Sequence, residues 1–282
     1  MQTKRYIYIE SLIWFLIALI ALATHLGANY YIEDLFIDTS VYDEYYQDVN
    51  VDYKNSKDTN NLITIYMEGT YSDKEHGGFY DVNYIPNLTK LSEENITFSN
   101  TDKIVGGALN SSGCDLTSGG LIGTSIGIPL NGRVIVLGHR YSNAYNLFNG
   151  IDATGDILHN LGYYNEFICG TDAVFGSRKS YFSTHSYDNI LGLFELVSSQ
   201  YINNFNGIND HQLFEIAKQE LQEVTSQNDK FNFTIMTLDT HFPGEYRCEY
   251  CGNTYGGSYG NVLTCVDNTV YNFIEWCKTQ DW

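Results

Sequence analysis

Residues 12–23 (LIWFLIALIALA) are unbroken apolar sequence. Widened to 7–27, the run is 21 residues. As a helix it is about 31 Å long, enough for a bilayer core of about 30 Å. Farther along, short apolar runs with strand character each end at polar or small residues. Residues 62–67 (LITIYM) stop at Glu68-Gly69-Thr70, and 134–137 (VIVL) stop at Gly138-His139. Phe167-Ile168 precedes Cys169-Gly170, and 233–238 (FTIMTL) stop at Asp239-Thr240-His241. Between them lie helical periods. Leu213, Phe214, Ala217, Leu221 and Val224 recur at helical spacing. So do Val266, Val270, Phe273, Ile274 and Cys277, with Asp267 placed to serve as the N-cap. Strands alternating with helices predict an α/β fold with a parallel sheet.

Charge sets the compartment. Lys4 and Arg5 precede the apolar run, while Glu33, Asp34, Asp38 and Asp43 follow it. The positive-inside rule puts the short N-terminus in the cytoplasm and the remainder outside. Ala21-Leu22-Ala23 offers the rival reading, a cleaved signal peptide. We read an uncleaved anchor, because the stretch is long for a signal-peptide core. Three regions follow: an anchor at 1–28, an acidic, Tyr-rich spacer at 29–59, and an extracytoplasmic domain at 60–282. Asp and Glu number 34 against 15 Lys and Arg, a formal charge of −19. That excess argues against nucleic acid as a partner, since no basic surplus exists to neutralise phosphates.

In parallel sheets ligands gather beyond the carboxyl ends of the strands. Here those ends carry Glu68, His139 and the Asp239/His241 pair. Singly, each has a plainer reading as a solvated or structural loop residue. The segment 111–130 (SSGCDLTSGGLIGTSIGIPL) is rich in Gly and small residues, then turns into an apolar helical run. Thr117 stands where the loop enters that helix, and the helix N-terminus favours an alkoxide and a phosphate. A Thr hydroxyl needs a metal or a base to attack at neutral pH. A divalent metal held by Glu68 supplies that activation. The plainer reading is a helix-packing segment with Thr117 as its N-cap.

Six cysteines are present, and Cys248-x-x-Cys251 with Cys265 admits two readings. One is a local disulfide, favoured for an exported chain. The other is part of a zinc knuckle, with Cys277 or a His as fourth ligand.

Several ordered blocks resemble the phosphoglycerol transferases of bacterial envelopes, the lipoteichoic acid synthase family within the alkaline phosphatase/sulfatase superfamily. They are NLITIYMEGTYSD (61–73), LTSGGLIGTSIGIPL (116–130), GTDAVFGSRKSYFSTHSYD (170–188), IMTLDTHFPGEYRC (235–248) and CVDNTVYNFIEWC (265–277). The resemblance implies a three-layer α/β sandwich with a mostly parallel sheet, preceded by one transmembrane helix. It implies that Glu68 is a metal ligand and that Thr117 is the metal-bound nucleophile. His241 matches a histidine near the substrate phosphate. Asp172, Arg178 and His185 match the block that shapes the lipid head-group pocket. Asp172 serves equally well as a local turn cap, and Arg178-Lys179 as a solvated basic pair. His139 has no counterpart and reads as structural.

The implied reaction moves glycerophosphate from phosphatidylglycerol to a glycan or polyglycerophosphate acceptor at the membrane. The implied cofactor is a divalent metal, Mn²⁺ first, with Mg²⁺ or Zn²⁺ also suited to oxygen and nitrogen ligands. A phosphoethanolamine transferase is the neighbouring alternative. The family pattern continues past the helix ending near Trp276 to a strand and a Gly-Asp-His motif with two further metal ligands. The sequence ends at Trp282. The expectation is therefore a fragment, a split gene product or a non-catalytic binding relative.

Overall fold

The computed structural model describes residues 2–25, 46, 47, 49, 60–78, 80–99, 110, 113–130, 147–196, 207–244 and 246–282. The run 134–137, His139 and most of the acidic segment 29–59 lie outside the described residues.

Helix α1 (Gln2–His25) is 24 residues, about 36 Å at 1.5 Å per residue. Its window Tyr8–His25 has a mean hydropathy of 1.7, and none of that window is buried. Leu12, Trp14, Phe15, Leu19 and Ile20 are all exposed, so the helix is apolar all round. By length and composition it can cross a membrane.

Among the described residues the strands are β1 (Leu62–Tyr66), β2 (Tyr164–Cys169), β3 (Asn189–Leu191) and β4 (Phe231–Met236). They form one sheet of order β1-β4-β2-β3, parallel at every pairing. Among the described residues the helices after α1 are α2 (Pro86–Glu94), α3 (Thr117–Ile126), α4 (Thr154–Asn160), α5 (Arg178–Thr184), α6 (Leu193–Leu196), α7 (Asp210–Gln227) and α8 (Ser258–Cys277).

Every residue of β4 is buried. Alternation along the strand sends Phe231, Phe233 and Ile235 to one face of the sheet. There they meet Leu213, Phe214, Ala217 and Leu221 of α7 and Val262, Val266, Val270 and Phe273 of α8. Met236 goes to the other face, with Phe167 and Cys169 of β2. That face is covered by Leu121 and Ile122 of α3 and by Tyr181 and Phe182 of α5. Helices on both faces of a parallel sheet give the α/β three-layer sandwich that the periodicity and the resemblance implied.

Helix α8 corrects one expectation. It begins at Ser258, with Gly257 as N-cap, so Asp267 lies in its middle. Asn261 fixes the entry by donating to the carbonyls of Gly257 (2.6 Å) and Tyr255 (2.9 Å). Asp267 caps a different helix. Its carboxylate accepts from Asn87 N (3.1 Å), Asn87 Nδ2 (2.8 Å) and Leu88 N (2.9 Å) in the first turn of α2. The N-cap of α2, Ile85, has no side-chain oxygen to offer, and Pro86 needs no partner for its nitrogen. Asp267 is fully buried. Burial lifts its carboxyl above the ordinary range, and the bonds to α2 oppose that rise.

Replacing Asp267 with Ala strands two amide hydrogens of α2 in a buried junction. We expect a loss of about 2 kcal/mol, read as a lower denaturation midpoint. Amide exchange should rise first in residues 87–94. An unchanged midpoint would show that α2 is held without this cap.

Candidate active site

Parallel strands bring their carboxyl ends to one edge of the sheet. Glu68 lies two residues past β1, and Thr237 to His241 continue from β4. Three contacts hold the Glu68 backbone there. Its N–H donates to Thr237 Oγ1 (2.9 Å), and its carbonyl accepts from Thr240 Oγ1 and from Thr70 Oγ1 (3.1 Å). The next residue, Gly69, has φ +53°, and a Cβ there would lie 2.5 Å from the Thr240 carbonyl oxygen. Only glycine fits that approach. The Gly69 carbonyl in turn accepts from the Tyr259 hydroxyl of α8.

Thr117 is the first residue of α3 and donates from Oγ1 to Glu68 Oε2 at 2.7 Å. Leu116 precedes it in extended conformation with no side-chain cap. Thr117 is therefore not the N-cap, which settles one plainer reading. The amide groups of the first turn stay available to a ligand. Ser118 Oγ donates to the Gly176 carbonyl (2.8 Å), tying this turn to the segment before α5. Glu68 and Thr117 line a cavity of about 300 Å³, with Tyr66, Tyr71, Thr124 and Met236 among its walls.

Arg178 opens α5 and is buried. Its Nη2 donates to Thr171 Oγ1 and to the Asp172 carbonyl, both at 2.8 Å. Its Nη1 stands 3.6 Å from Met236 Sδ, placing the guanidinium behind that cavity wall. Nε has no hydrogen-bond partner, and no carboxylate pairs with Arg178 among the described residues. Arg178 is thus not part of a solvated basic pair, whereas Lys179 pairs with Glu195 at 2.6 Å.

The other expected residues stand outside the cavity lining. Asp172 Oδ1 accepts from Val174 N (2.9 Å), which caps its own turn. His185 is buried, with Nδ1 on Asp156 Oδ2 (2.7 Å) and Nε2 on the Leu147 carbonyl (2.9 Å). Both ring nitrogens are used in joining α5 to α4. His241 follows Thr240 on the loop that grips Glu68, with Nδ1 2.8 Å from the Phe242 carbonyl oxygen. Cys248, Cys251 and Cys265 form no disulfide with one another, and their sulfurs are close together. Cys277 is 12 residues past Cys265 along α8, about 18 Å away.

The expectation that the exported part holds no Asp-His dipeptide is wrong: Asp210-His211 is one, and it opens α7. His211 stacks on Tyr250, with ring centroids 3.7 Å apart. Asp210 accepts from Leu238 N (2.7 Å) and Asp239 N (3.0 Å), while Asp239 Oδ2 accepts from Asp210 N (3.0 Å). The two carboxyls staple the end of β4 to the start of α7. Burial pushes both well above the ordinary carboxyl range, and Asp239 is raised further by Asp210. Asp239 Oδ1 is buried with no hydrogen-bond partner. An Asp opening a helix has the local signature of any first-turn acid, so only the tertiary pairing marks Asp210 out.

Residues 60–282 match the family described as Sulfatase. Phosphoglycerol transferase I of Escherichia coli is 27% identical over 234 residues, 79% of this chain and 29% of that protein. The chain therefore spans less than a third of the length of that curated relative. The lipoteichoic acid synthase LtaP from Listeria monocytogenes matches in structure with a TM-score of 0.60 and 17% identity. That match covers 85% of this chain and 57% of LtaP. A protein in the alkaline phosphatase superfamily from Vibrio parahaemolyticus matches with a TM-score of 0.59 and 20% identity. It covers 79% of this chain and 51% of that one. These two likenesses are likenesses of fold.

The Asp210–Asp239 pair sets a pH dependence with a defined sign. The folded chain keeps protons on these carboxyls that the unfolded chain gives up above about pH 4. Stability from the pair is therefore full in acid and falls as pH rises through neutrality. Asp239→Asn keeps the acceptor for Asp210 N and removes the charge. Denaturant unfolding at about pH 5 and about pH 8 should show a drop in the parent that this variant makes smaller, with the share due to the buried Asp210 left. A variant with the parent's slope would refute the assignment.

Proposed function

The chain belongs to the sulfatase family, and on that premise we propose that it is a membrane-anchored, extracytoplasmic phosphoglycerol transferase. Residues 60–282 would form the transferase domain and α1 the anchor, with Lys4 and Arg5 on the cytoplasmic side. The observation that carries the reading is the 2.7 Å hydrogen bond from Thr117 Oγ1 to Glu68 Oε2 in the wall of a cavity.

That bond has a chemical consequence. Glu68 holds the hydroxyl hydrogen, so the oxygen lone pairs are left for an electrophile. Thr117 would attack the phosphorus of phosphatidylglycerol. A P–O bond to threonine forms, and the P–O bond to diacylglycerol breaks as that alcohol leaves with a proton. The hydroxyl of a glycan or polyglycerophosphate acceptor then attacks the same phosphorus and releases Thr117. The uncapped first turn of α3 presents amide groups to the phosphoryl oxygens. Arg178, a buried cation with no carboxylate partner among the described residues, supports an anionic ligand across the Met236 wall. His241 follows Thr240, whose hydroxyl grips Glu68, and from that loop it would approach the substrate phosphate.

A divalent cation of hard character fits the Glu68–Thr117 oxygen pair, with Mn²⁺ first among candidates. Glu68 and Thr117 would hold it, and when bound it would acidify the Thr117 hydroxyl and offset phosphate charge. Two protein oxygens are fewer than such a cation takes, and that number favours a second reading, a non-catalytic binder of the same fold.

The test uses the full chain in phosphatidylglycerol vesicles with Mn²⁺. We expect diacylglycerol release and a glycerophosphoryl adduct on Thr117 by mass spectrometry. Thr117→Ala should cut release by at least about 10³-fold with the fold intact. Glu68→Gln should weaken Mn²⁺ binding in a titration. Stoichiometric Mn²⁺ binding with no adduct would select the binder, and full activity in Thr117→Ala would sink the nucleophile.

A further inference from the structure

Cys248, Cys251 and Cys265 are away from the cavity and have no part in the proposed transfer. The first two lie on the loop between β4 and α8, and the third is in the second turn past the start of α8. Cys248 Sγ is 3.6 Å from Cys251 Sγ and 3.7 Å from Cys265 Sγ. All three sulfurs lie within 4.8 Å of one another. A disulfide would need about 2.0 Å. Tetrahedral zinc, with Zn–S near 2.3 Å, sets neighbouring sulfurs about 3.8 Å apart. Two of the three edges already have that length.

The surrounding backbone is built to keep them so. Cys251 N donates to the Cys248 carbonyl at 3.1 Å, closing the two-residue spacer into a turn. Arg247 reaches across the turn to the carbonyls of Gly252 and Cys251. Cys251 also packs against the core between α7 and α8. Three sulfurs are an odd number, so any disulfide among them would leave the third as a free thiol in the same contact. Three thiolates instead match a cation that prefers soft ligands and tetrahedral geometry.

We propose that Cys248, Cys251 and Cys265 bind one zinc ion as a structural clip, with water at the fourth corner. Binding releases the thiol protons to solvent as the Zn–S bonds form. Among the described residues no other Cys, His, Asp or Glu joins the group, which leaves that corner to solvent. The clip ties the loop that leaves His241 to α8. Tyr259 of the same helix donates to Gly69 beside Glu68. The clip therefore steadies the rim of the cavity without touching its contents.

The test is cobalt substitution in the full-length chain, solubilised in detergent, reduced, stripped of metal and reloaded with Co²⁺. We expect one tightly held Co²⁺ with a thiolate-to-cobalt charge-transfer band and tetrahedral ligand-field bands, both lost on adding Zn²⁺. The oxygen pair Glu68–Thr117 gives no thiolate band, so failure of the proposed transfer chemistry leaves this readout intact. Cys265→Ser should lose the band, while Cys277→Ser, out of reach, should keep it. The spectrum of the parent chain carries the test even if a variant misfolds. No thiolate band in a folded parent would overturn the proposal. So would a disulfide among the three in the unreduced protein, or a band that survives in Cys265→Ser.

Discussion

Strand β4 lets no side chain reach solvent, so both faces of the sheet must be covered there. Phe231, Phe233 and Ile235 require the apolar stripes of α7 and α8, and Met236 requires α3 and α5. A strand buried on both sides and paired on both edges is the natural centre of a parallel sheet. The site follows from that burial. The chain leaving β4 supplies Thr237 and Thr240 to the Glu68 backbone and Asp239 to α7. The core that needs most apolar cover is thus continuous with the loop that aims the carboxylate.

Charge is distributed unevenly around this frame. A chain of net charge −19 keeps, among the described residues, one buried guanidinium, Arg178, whose hydrogen-bond partners are a hydroxyl, a carbonyl and a thioether. Burying a cation without an anion is costly, and a bound anion would offset that cost. The opposite case is Asp210 with Asp239, two carboxyls placed together whose ionisation burial makes harder. The first arrangement suits recognition of a phosphate. The second suits a joint between a strand end and a helix start. His185 resembles a site residue by type, but it spends both nitrogens on Asp156 and Leu147.

Long-range polar contacts do for the loops what apolar burial does for the sheet. Asp267 caps α2 from 180 residues away, and Tyr259 reaches Gly69 across 190. Both come from α8, so that helix fixes the rim of the cavity on one side and the packing of α2 on the other. A metal clip through Cys265 would join the loop after β4 to the same helix. Helix α1 stands apart from these contacts, and its all-round apolar surface suits lipid better than water.

The apolar N-terminal run, strands β1, β2 and β4 and the helical stripes were legible in the sequence because each is a local pattern, decided by residues within a few positions of one another. The small-residue entry to α3 was legible for the same reason, and it put Thr117 at a helix start. The start of α8 was not, because 256–260 (GGSYG) carries the local marks of a loop, and Asn261 overrides them by holding Tyr255 and Gly257. Partner choice was not legible either. Glu68 meets Thr117 across 49 residues, and Asp210 meets Leu238 across 28. No spacing encodes such pairs. They are set by which strands neighbour each other and which faces the core must cover, and that is decided only when the whole sheet packs.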